Sequence, residues 1–259
     1  MFRKILAGTD GSDSAMLALR HAADLAERLG AELTVVTAHA PGGETLQAGD
    51  PALVIAGALL RDVEKAHGGH IALSTRAAPG SAADVLVDIA ETEGFDLVVV
   101  GNRGLSRSAS LQPASVPGRV TRRAPAAVLV VDTMGRRPAG YSRILAATDG
   151  SATAARAVGA ADELARGLGA ELELATVVSS DGEGRRVLEA VRAAWPDVLA
   201  HVLAGEPSES LADLTQSGGY DLLVLGNKGM TGLRRALGSV PARLLRKAPT
   251  SVLIVHTTG

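Results

Sequence analysis

The chain carries the same sequence pattern twice, and this repeat constrains its fold more than any other feature. Residues 4–12 read KILAGTDGS, and residues 143–151 read RILAATDGS. Further on, residues 95–104 (FDLVVVGNRG) are matched by residues 220–229 (YDLLVLGNKG). A repeat of this length predicts two copies of one structural unit joined in tandem.

The two copies meet near residues 133–141, in a linker that contains glycine and proline. We therefore predict one domain over residues 1–135 and a second over residues 141–259. Each is long enough to bury its own core. The first copy is 14 residues longer than the second between Gly30 and Gly80, and we expect the extra residues in a loop.

Short apolar runs alternate with longer amphipathic patterns within each copy. In the first copy, strands are predicted near residues 5–7, 33–37, 71–76, 97–100 and 128–131, and helices near residues 13–29, 52–66, 81–92 and 115–123. This alternation is typical of a parallel sheet covered by helices on both faces. We predict an α/β fold of two tandem doubly wound domains, each a five-stranded, Rossmann-like parallel sheet.

Composition excludes several classes of protein. The chain has no cysteine, which excludes disulfides, zinc–cysteine clusters and thiol catalysis. Its net charge is −2 and only 2% of its residues are aromatic, which disfavours nucleic-acid binding. No apolar run approaches the ~18 residues of a membrane span. We expect a cytoplasmic protein with neither nucleic acid nor membrane as a partner.

The second copy contains a candidate anion site. In doubly wound sheets ligands bind beyond the carboxyl ends of the strands. One apolar strand ends at Gly226, and Gly229, Gly238 and Ser239 follow it. Glycines allow a ligand to approach the backbone closely, and consecutive backbone N–H groups bind anions. Ser239, with Pro241 after it, suits the start of a helix, whose N-terminus also favours an anion.

Basic residues surround both candidate anion sites in the sequence. No acidic residue follows Asp221, and none lies between Asp96 and Asp132. The basic residues of these two stretches are Arg103, Arg107, Arg119, Arg122, Arg123, Lys228, Arg234, Arg235, Arg243, Arg246 and Lys247. They gather positive charge around the candidate phosphate sites, but we interpret most of the arginines as a solvated face.

A lone carboxylate follows the first strand of each copy: Asp10 in the first and Asp149 in the second. A carboxylate at a strand end suits ribose hydroxyls. Phosphate on one side and a sugar-binding carboxylate on the other indicate a nucleotide. The alternative is that each aspartate caps the next helix through its Asp-Gly-Ser turn.

These residues resemble the universal stress protein family, whose ATP-binding branch carries the pattern G-x2-G-x9-G-S/T after a strand, together with an early aspartate. The resemblance covers the whole chain as two copies. It implies an adenine nucleotide α-hydrolase-like fold that binds ATP, with Mg²⁺ on the phosphates. In the second copy the site would comprise Asp149 at the ribose, the Val177 backbone at the adenine, and Gly226, Gly229, Gly238, Ser239 and Val240 at the ribose and phosphates. The matching positions of the first copy are Asp10, Ala38, Gly101, Gly104, Ala114, Ser115 and Val116.

Both copies depart from the family pattern. Eight residues separate Gly229 from Gly238, one fewer than the pattern has. The first copy keeps nine, but Ala114 replaces the glycine. A methyl group there is unfavourable if the backbone needs a positive φ or touches a phosphate. We expect the second site to bind ATP more readily, and two occupied sites remain open.

No residue is predicted to be catalytic or to bind a metal. The chain has no Walker A motif, and its histidines give no Ser-His-Asp order. His67-Gly68-Gly69-His70 lacks a carboxylate or cysteine partner, so we interpret it as a loop.

The predicted function is that of an ATP-binding stress-response or regulatory protein, which acts as a sensor or partner switch with slow or no ATP hydrolysis. Its partners would be ATP and an unidentified protein, and a homodimer stays open. One alternative is an interaction scaffold of the same fold that binds no nucleotide. Another is a nucleotidyl transferase, which would need a second substrate pocket that the sequence does not reveal.

Overall fold

The structure is a computed structural model that describes residues 1–39, 61, 71–102, 115–135, 140–178, 181–227 and 240–256. The chain divides into two compact units, Phe2–Met134 and Gly135–Gly259.

The first unit is a parallel sheet whose strands have the order β3-β2-β1-β4-β5. Its elements are β1 (Lys4–Gly8), α1 (Asp13–Leu29), β2 (Glu32–His39), β3 (Leu73–Pro79), α2 (Ala82–Glu93), β4 (Leu97–Gly101), α3 (Val116–Arg123) and β5 (Ala127–Val131). From the central strand β1, the sheet extends through β2 to β3 on one side and through β4 to β5 on the other. Because crossovers are right-handed, α1 covers one face of the sheet and α2 and α3 cover the other.

The second unit repeats this topology with the strand order β8-β7-β6-β9-β10, again all parallel. Its elements are β6 (Arg143–Ala147), α4 (Ala152–Leu168), β7 (Glu171–Val178), α5 (Asp181–Ala194), β8 (Leu199–Ala204), α6 (Pro207–Ser217), β9 (Leu222–Gly226), α7 (Val240–Lys247) and β10 (Ser251–Val255). The predicted α/β fold of two tandem doubly wound units is confirmed.

The first helix of each unit begins after a serine N-cap and ends at a glycine, residue types that favour these positions. The Ser12 hydroxyl accepts a hydrogen bond from the Ala15 N–H at 3.2 Å, and Gly30 ends α1 in the left-handed conformation, with φ 64°. Ser151 and Gly169 do the same for α4. A serine N-cap satisfies an otherwise unpaired N–H, and glycine adopts a positive φ without strain.

The third strand of the first unit differs from its sequence prediction. Residues 71–76 were expected, and the strand is Leu73–Pro79. It lies at the edge of the five strands, so its side chains are largely exposed and the sequence lacks a clear apolar alternation there. Backbone pairing with β2 extends it instead, as far as His39 opposite Pro79. The predicted helix near residues 52–66 lies outside the described residues, apart from residue 61.

An aspartate joins two strands at the amino edge of each sheet, where the strands begin. The Asp96 carboxylate accepts hydrogen bonds from the N–H groups of Arg3 at 2.8 Å and Lys4 at 3.1 Å. Asp221 accepts from the N–H groups of Ser142 and Arg143 in the same way. The aspartate that the repeat preserves before β4 and β9 is therefore structural.

Candidate functional site

The carboxyl ends of the inner strands of the first unit meet at one edge of its sheet. The Thr9 N–H, just after β1, donates to the Val36 carbonyl of β2 at 3.0 Å. The Asn102 N–H, just after β4, donates to the Val131 carbonyl of β5 at 3.0 Å. Asp10 therefore lies at the same edge as Gly101, the last residue of the neighbouring strand β4.

The second unit has the same arrangement. The N–H of Thr148 donates to the Ala175 carbonyl at 2.9 Å, and that of Asn227 donates to the Val255 carbonyl at 3.0 Å. Because β6 pairs with both β7 and β9, the structure brings Asp149, Val177 and Gly226 to one edge. We call this side of each unit the carboxyl edge.

Each aspartate after the first strand is exposed and held by its own turn. Asp10 Oδ1 accepts from the Ser12 N–H at 3.0 Å and from the Ser12 hydroxyl at 2.6 Å. Asp149 Oδ1 accepts from the Ser151 N–H at 3.0 Å. The alternative that the aspartates cap the helices is wrong, because the serines do so. The aspartates instead brace the turn, which fixes their carboxylates at the carboxyl edge.

The last helix of the first unit begins as predicted. Ser115 is the N-cap of α3, and its hydroxyl accepts from the Gly118 N–H at 3.3 Å. Val116 follows with 37% of its surface exposed. In the second unit Val240 is the first residue of α7.

The remaining site residues fall into two groups. Ala38 lies near the end of β2 opposite Ala78, and Val177 lies near the end of β7 opposite Leu203. Five predicted positions lie outside the described residues: Gly104, Ala114, Gly229, Gly238 and Ser239. The glycine part of each predicted site therefore stays a prediction.

The basic residues of α3 face an acidic residue of α2. Arg119 donates to both oxygens of Asp84, at 2.7 and 2.8 Å, and Arg123 also pairs with this carboxylate. Hydrogen bonds from Ser81, Arg123 and Arg119 hold the pKa of Asp84 well below its usual range. The single carboxylate thus offsets one of the two positive charges.

The second unit shows the same pairing between α7 and α6. Arg243 contacts Glu206 at 2.8 Å, and Lys247 contacts Glu209 at 2.9 Å. Arg119 and Arg123 of the first unit, like these two residues, thus pair with carboxylates of the neighbouring helix, which offsets part of the positive charge of the last helices. Their partners lie about 35 residues earlier in the chain, so the sequence gap without acids gave no warning.

Sequence reasoning missed an asparagine at each carboxyl edge, half-buried in the first unit and buried in the second. Asn102 Nδ2 donates to Asp132 Oδ1 at 3.1 Å, and its Oδ1 accepts from the Thr133 hydroxyl at 2.6 Å. Asn227 is fully buried, and its Nδ2 donates to Nδ1 of His256 at 3.2 Å. Each asparagine thus joins the end of its own strand to the residue that directly follows the neighbouring strand. The sequence feature that could have identified this asparagine is its presence in both copies, directly after Gly101 and Gly226.

A second missed feature lies at the amino edge of the second unit, among four polar side chains that we call the Glu173 cluster. The Glu173 carboxylate accepts from Arg143 at 2.8 Å and Tyr220 at 2.7 Å, and it pairs with His201 at 2.6 Å. Burial alone would raise the pKa of Glu173, but hydrogen bonds from these three partners outweigh burial and lower it. At the matching place of the first unit, Thr34 stands where the second unit has Glu173 and makes a 2.8 Å hydroxyl contact with Ser74, while Lys4 lies over the Phe95 ring.

The described residues contain no group of three or more histidine, aspartate or glutamate side chains that could hold a metal ion. Within the same parts of the chain, no helix is long and apolar enough to cross a membrane.

The fold and its repeated carboxyl edge define a class, the tandem doubly wound α/β proteins. The universal stress protein family model matches residues 1–132, 140–187 and 181–256, and the chain belongs to this family as two tandem domains. It is 38% identical over 143 residues to universal stress protein Rv1636 of Mycobacterium tuberculosis; the match covers 51% of this chain and 97% of that protein.

Two solved structures share the fold over nearly the full length. A universal stress protein from Archaeoglobus fulgidus is 20% identical with a TM-score of 0.76; the match covers 98% of this chain and 96% of that one. A functionally unknown protein from Pseudomonas aeruginosa is 18% identical with a TM-score of 0.74, over 99% of this chain and 93% of that one.

Proposed function

We propose that this universal stress protein binds ATP at the carboxyl edge of each unit and acts as a stress-response regulator, as a sensor or a partner switch. One observation carries the proposal. Asp149 lies just beyond the end of β6, beside Gly226 at the end of the paired strand β9, and Asp10 and Gly101 have the same places in the first unit. This is where doubly wound sheets bind ligands, and it unites a sugar-binding group with the start of a glycine motif.

The described side chains support a ribose contact at Asp10 and Asp149. Both carboxylates are exposed, and the hydrogen bonds to Oδ1 fix their direction. The N-terminus of α3, capped by Ser115, supports phosphate binding, because free N–H groups and the helix dipole favour an anion. Mg²⁺ would be carried by the phosphates.

Hydrolysis is proposed to be slow or absent. Among the proposed site residues, the only carboxylates are those of Asp10 and Asp149, and both are proposed to contact the ribose. A general base must reach the proton that it removes, and at the ribose neither carboxylate would lie beside the terminal phosphate. We therefore expect turnover well below ~1 s⁻¹, the slow end of ordinary enzymes.

The test is the amount of nucleotide that the purified chain holds. Denaturation followed by mass spectrometry gives moles of nucleotide per chain, and we expect between one and two of ATP. Asp149→Ala should lower this value by one site. Asp197→Ala is the matched control, because this exposed aspartate precedes β8 at the amino edge. No bound nucleotide, together with no rise in melting temperature at saturating ATP, would overturn the proposal.

Titration with ATP, AMP and cAMP then identifies the preferred ligand. The set includes cAMP because a solved universal stress protein, 35% identical to 50% of this chain with a TM-score of 0.41, is described in complex with cAMP.

A second candidate function is an interaction scaffold that binds no nucleotide. The observation that favours it is the pairing of Arg119 and Arg123 with Asp84, which offsets one of the two positive charges on the helix at the proposed phosphate site. Sedimentation of the chain with and without ATP separates the two functions. A partner switch changes its association when ATP binds, whereas a scaffold sediments identically in both conditions.

A further inference from the structure

The two units carry different charges at one matched position of the carboxyl edge. Asp132 directly follows β5, and His256 directly follows β10. Each side chain is bonded to the asparagine that follows the neighbouring strand: Asp132 to Asn102 at 3.1 Å and His256 to Asn227 at 3.2 Å. The same contact therefore holds a carboxylate in one unit and an imidazole in the other.

This position borders the proposed phosphate site. Asn102 lies inside the segment from Gly101 to Gly104, so the Asp132 carboxylate is one hydrogen bond away from the glycine motif. The hydroxyls of Ser14, in the first turn of α1, and Thr133 lie 2.9 Å apart. Asp132 and Thr133, which follow β5, are thus held between Asn102 and α1.

The charges at the two edges follow from these bonds. A carboxylate such as that of Asp132 is negative at neutral pH. Nδ1 of His256 lies 3.2 Å from Nδ2 of Asn227, and an imidazole carries no negative charge in either of its protonation states. At this matched position the first unit therefore has a negative charge that the second unit lacks.

We propose that this difference sorts adenine nucleotides between the units by phosphate charge: the second unit takes the triphosphate, and the first prefers ligands with fewer phosphates. The proposal rests on the proposed function. A unit charge near a polyphosphate, in a partly solvated site, changes affinity about three- to tenfold. An uncharged nucleoside is affected little.

The methyl group of Ala114 would act differently from this charge. Steric crowding at the glycine motif weakens ligands according to their shape, whereas the carboxylate of Asp132 weakens them in proportion to their negative charge. A comparison of adenosine with ATP therefore separates the two effects.

The experiment is calorimetric titration of the full chain with adenosine, AMP and ATP, for wild type, Asp132→Asn and His256→Asp. Asparagine at position 132 keeps the oxygen that accepts from Asn102 and Met134, so the local bonds survive. We expect Asp132→Asn to tighten the weaker ATP site about three- to tenfold and to leave adenosine unchanged. Asp197→Asn removes the same charge at the amino edge and should change neither ligand.

His256→Asp should weaken the tighter ATP site by a similar factor, and His256→Asn should leave it within about twofold of wild type. Because both replace the imidazole, the second variant separates a charge effect from a loss of packing. An equal change of adenosine and ATP affinity in Asp132→Asn, or no change in either, overturns the sorting proposal while the proposed function stands. Binding of none of the three ligands to the wild type overturns both.

Discussion

At the scale of single residues, the two units differ most at positions where the repeat places different polar side chains. Glu173 replaces the threonine of the first unit and gathers three donors around a carboxylate that is 12% exposed. Arg143 also lies 4.8 Å from the centre of the Tyr220 ring, so two partners of the glutamate contact each other. Removing the carboxylate leaves those partners without their shared acceptor.

Glu173→Gln should lower the free energy of unfolding by about 2–4 kcal/mol, because a largely buried charge network loses its central anion. Urea denaturation measures the change. Glu171→Gln is the matched control, since that carboxylate is 76% exposed and lies 3.5 Å from the same Arg143. An exposed pair contributes about 0–1 kcal/mol. Equal losses for the two variants would contradict the assignment of the Glu173 cluster as a stabilising group.

The contribution of Glu173 should also depend on pH. Hydrogen bonds lower the folded-state pKa of Glu173 despite its burial, so its stabilisation is present above the unfolded-state pKa of about 4.3 and is lost as the pH falls through the folded-state pKa. The difference between wild type and Glu173→Gln should be full at neutral pH and shrink below about pH 4. Urea denaturation at several pH values checks this, and a constant difference down to pH 3 would contradict it.

At the scale of elements, helices are set by their ends and by the space around each turn. Gly159 lies inside α4, and a methyl group added there would meet nothing within 4 Å. Gly218 follows α6, and a methyl group there would lie 3.0 Å from the Leu214 carbonyl and 2.8 Å from Tyr220 Cδ2. The same substitution should therefore have opposite effects at the two positions.

Gly159→Ala should raise the free energy of unfolding by about 0.5–1 kcal/mol, because alanine restricts the unfolded chain and favours the helix. Gly218→Ala should lower it by about 1–3 kcal/mol, because the methyl group displaces the packed Tyr220 ring. Thermal unfolding of both variants, compared with wild type, tests the pair. A shift of the same sign in both would contradict the described packing.

At the scale of the whole molecule, the repeat made the fold predictable. The aspartate turns, the serine caps and the apolar strands recur in order, and each is a local signal. Contacts between elements were not predictable: Asp84 meets Arg119 and Arg123 only after α2 and α3 pack side by side. The Glu173 cluster likewise needs several strands to assemble. Of the candidate site, the sequence located the aspartates and the helix start but not Asn102.

Each unit should respond separately to the loss of a core side chain. Leu6 and Leu145 are matched, fully buried residues of β1 and β6. Each Leu→Ala substitution should cost about 3–5 kcal/mol, since it removes buried methyl groups and leaves a cavity. Hydrogen exchange followed by mass spectrometry should locate the loss of protection in the unit that carries the substitution. Equal loss in both units from either variant would contradict two separate cores.

Two groups of polar contacts lie at the amino edge of the sheets: the backbone hydrogen bonds accepted by Asp96 and Asp221, and the Glu173 cluster. No proposed ligand residue lies at that edge. Substitutions at the carboxyl edge therefore leave these amino-edge contacts unchanged. A duplicated gene of this design can specialise one copy while the other keeps its original task. For protein engineering, exchanging Asp132 and His256, the residues that directly follow β5 and β10, should transfer ligand preference from one unit to the other on an intact framework.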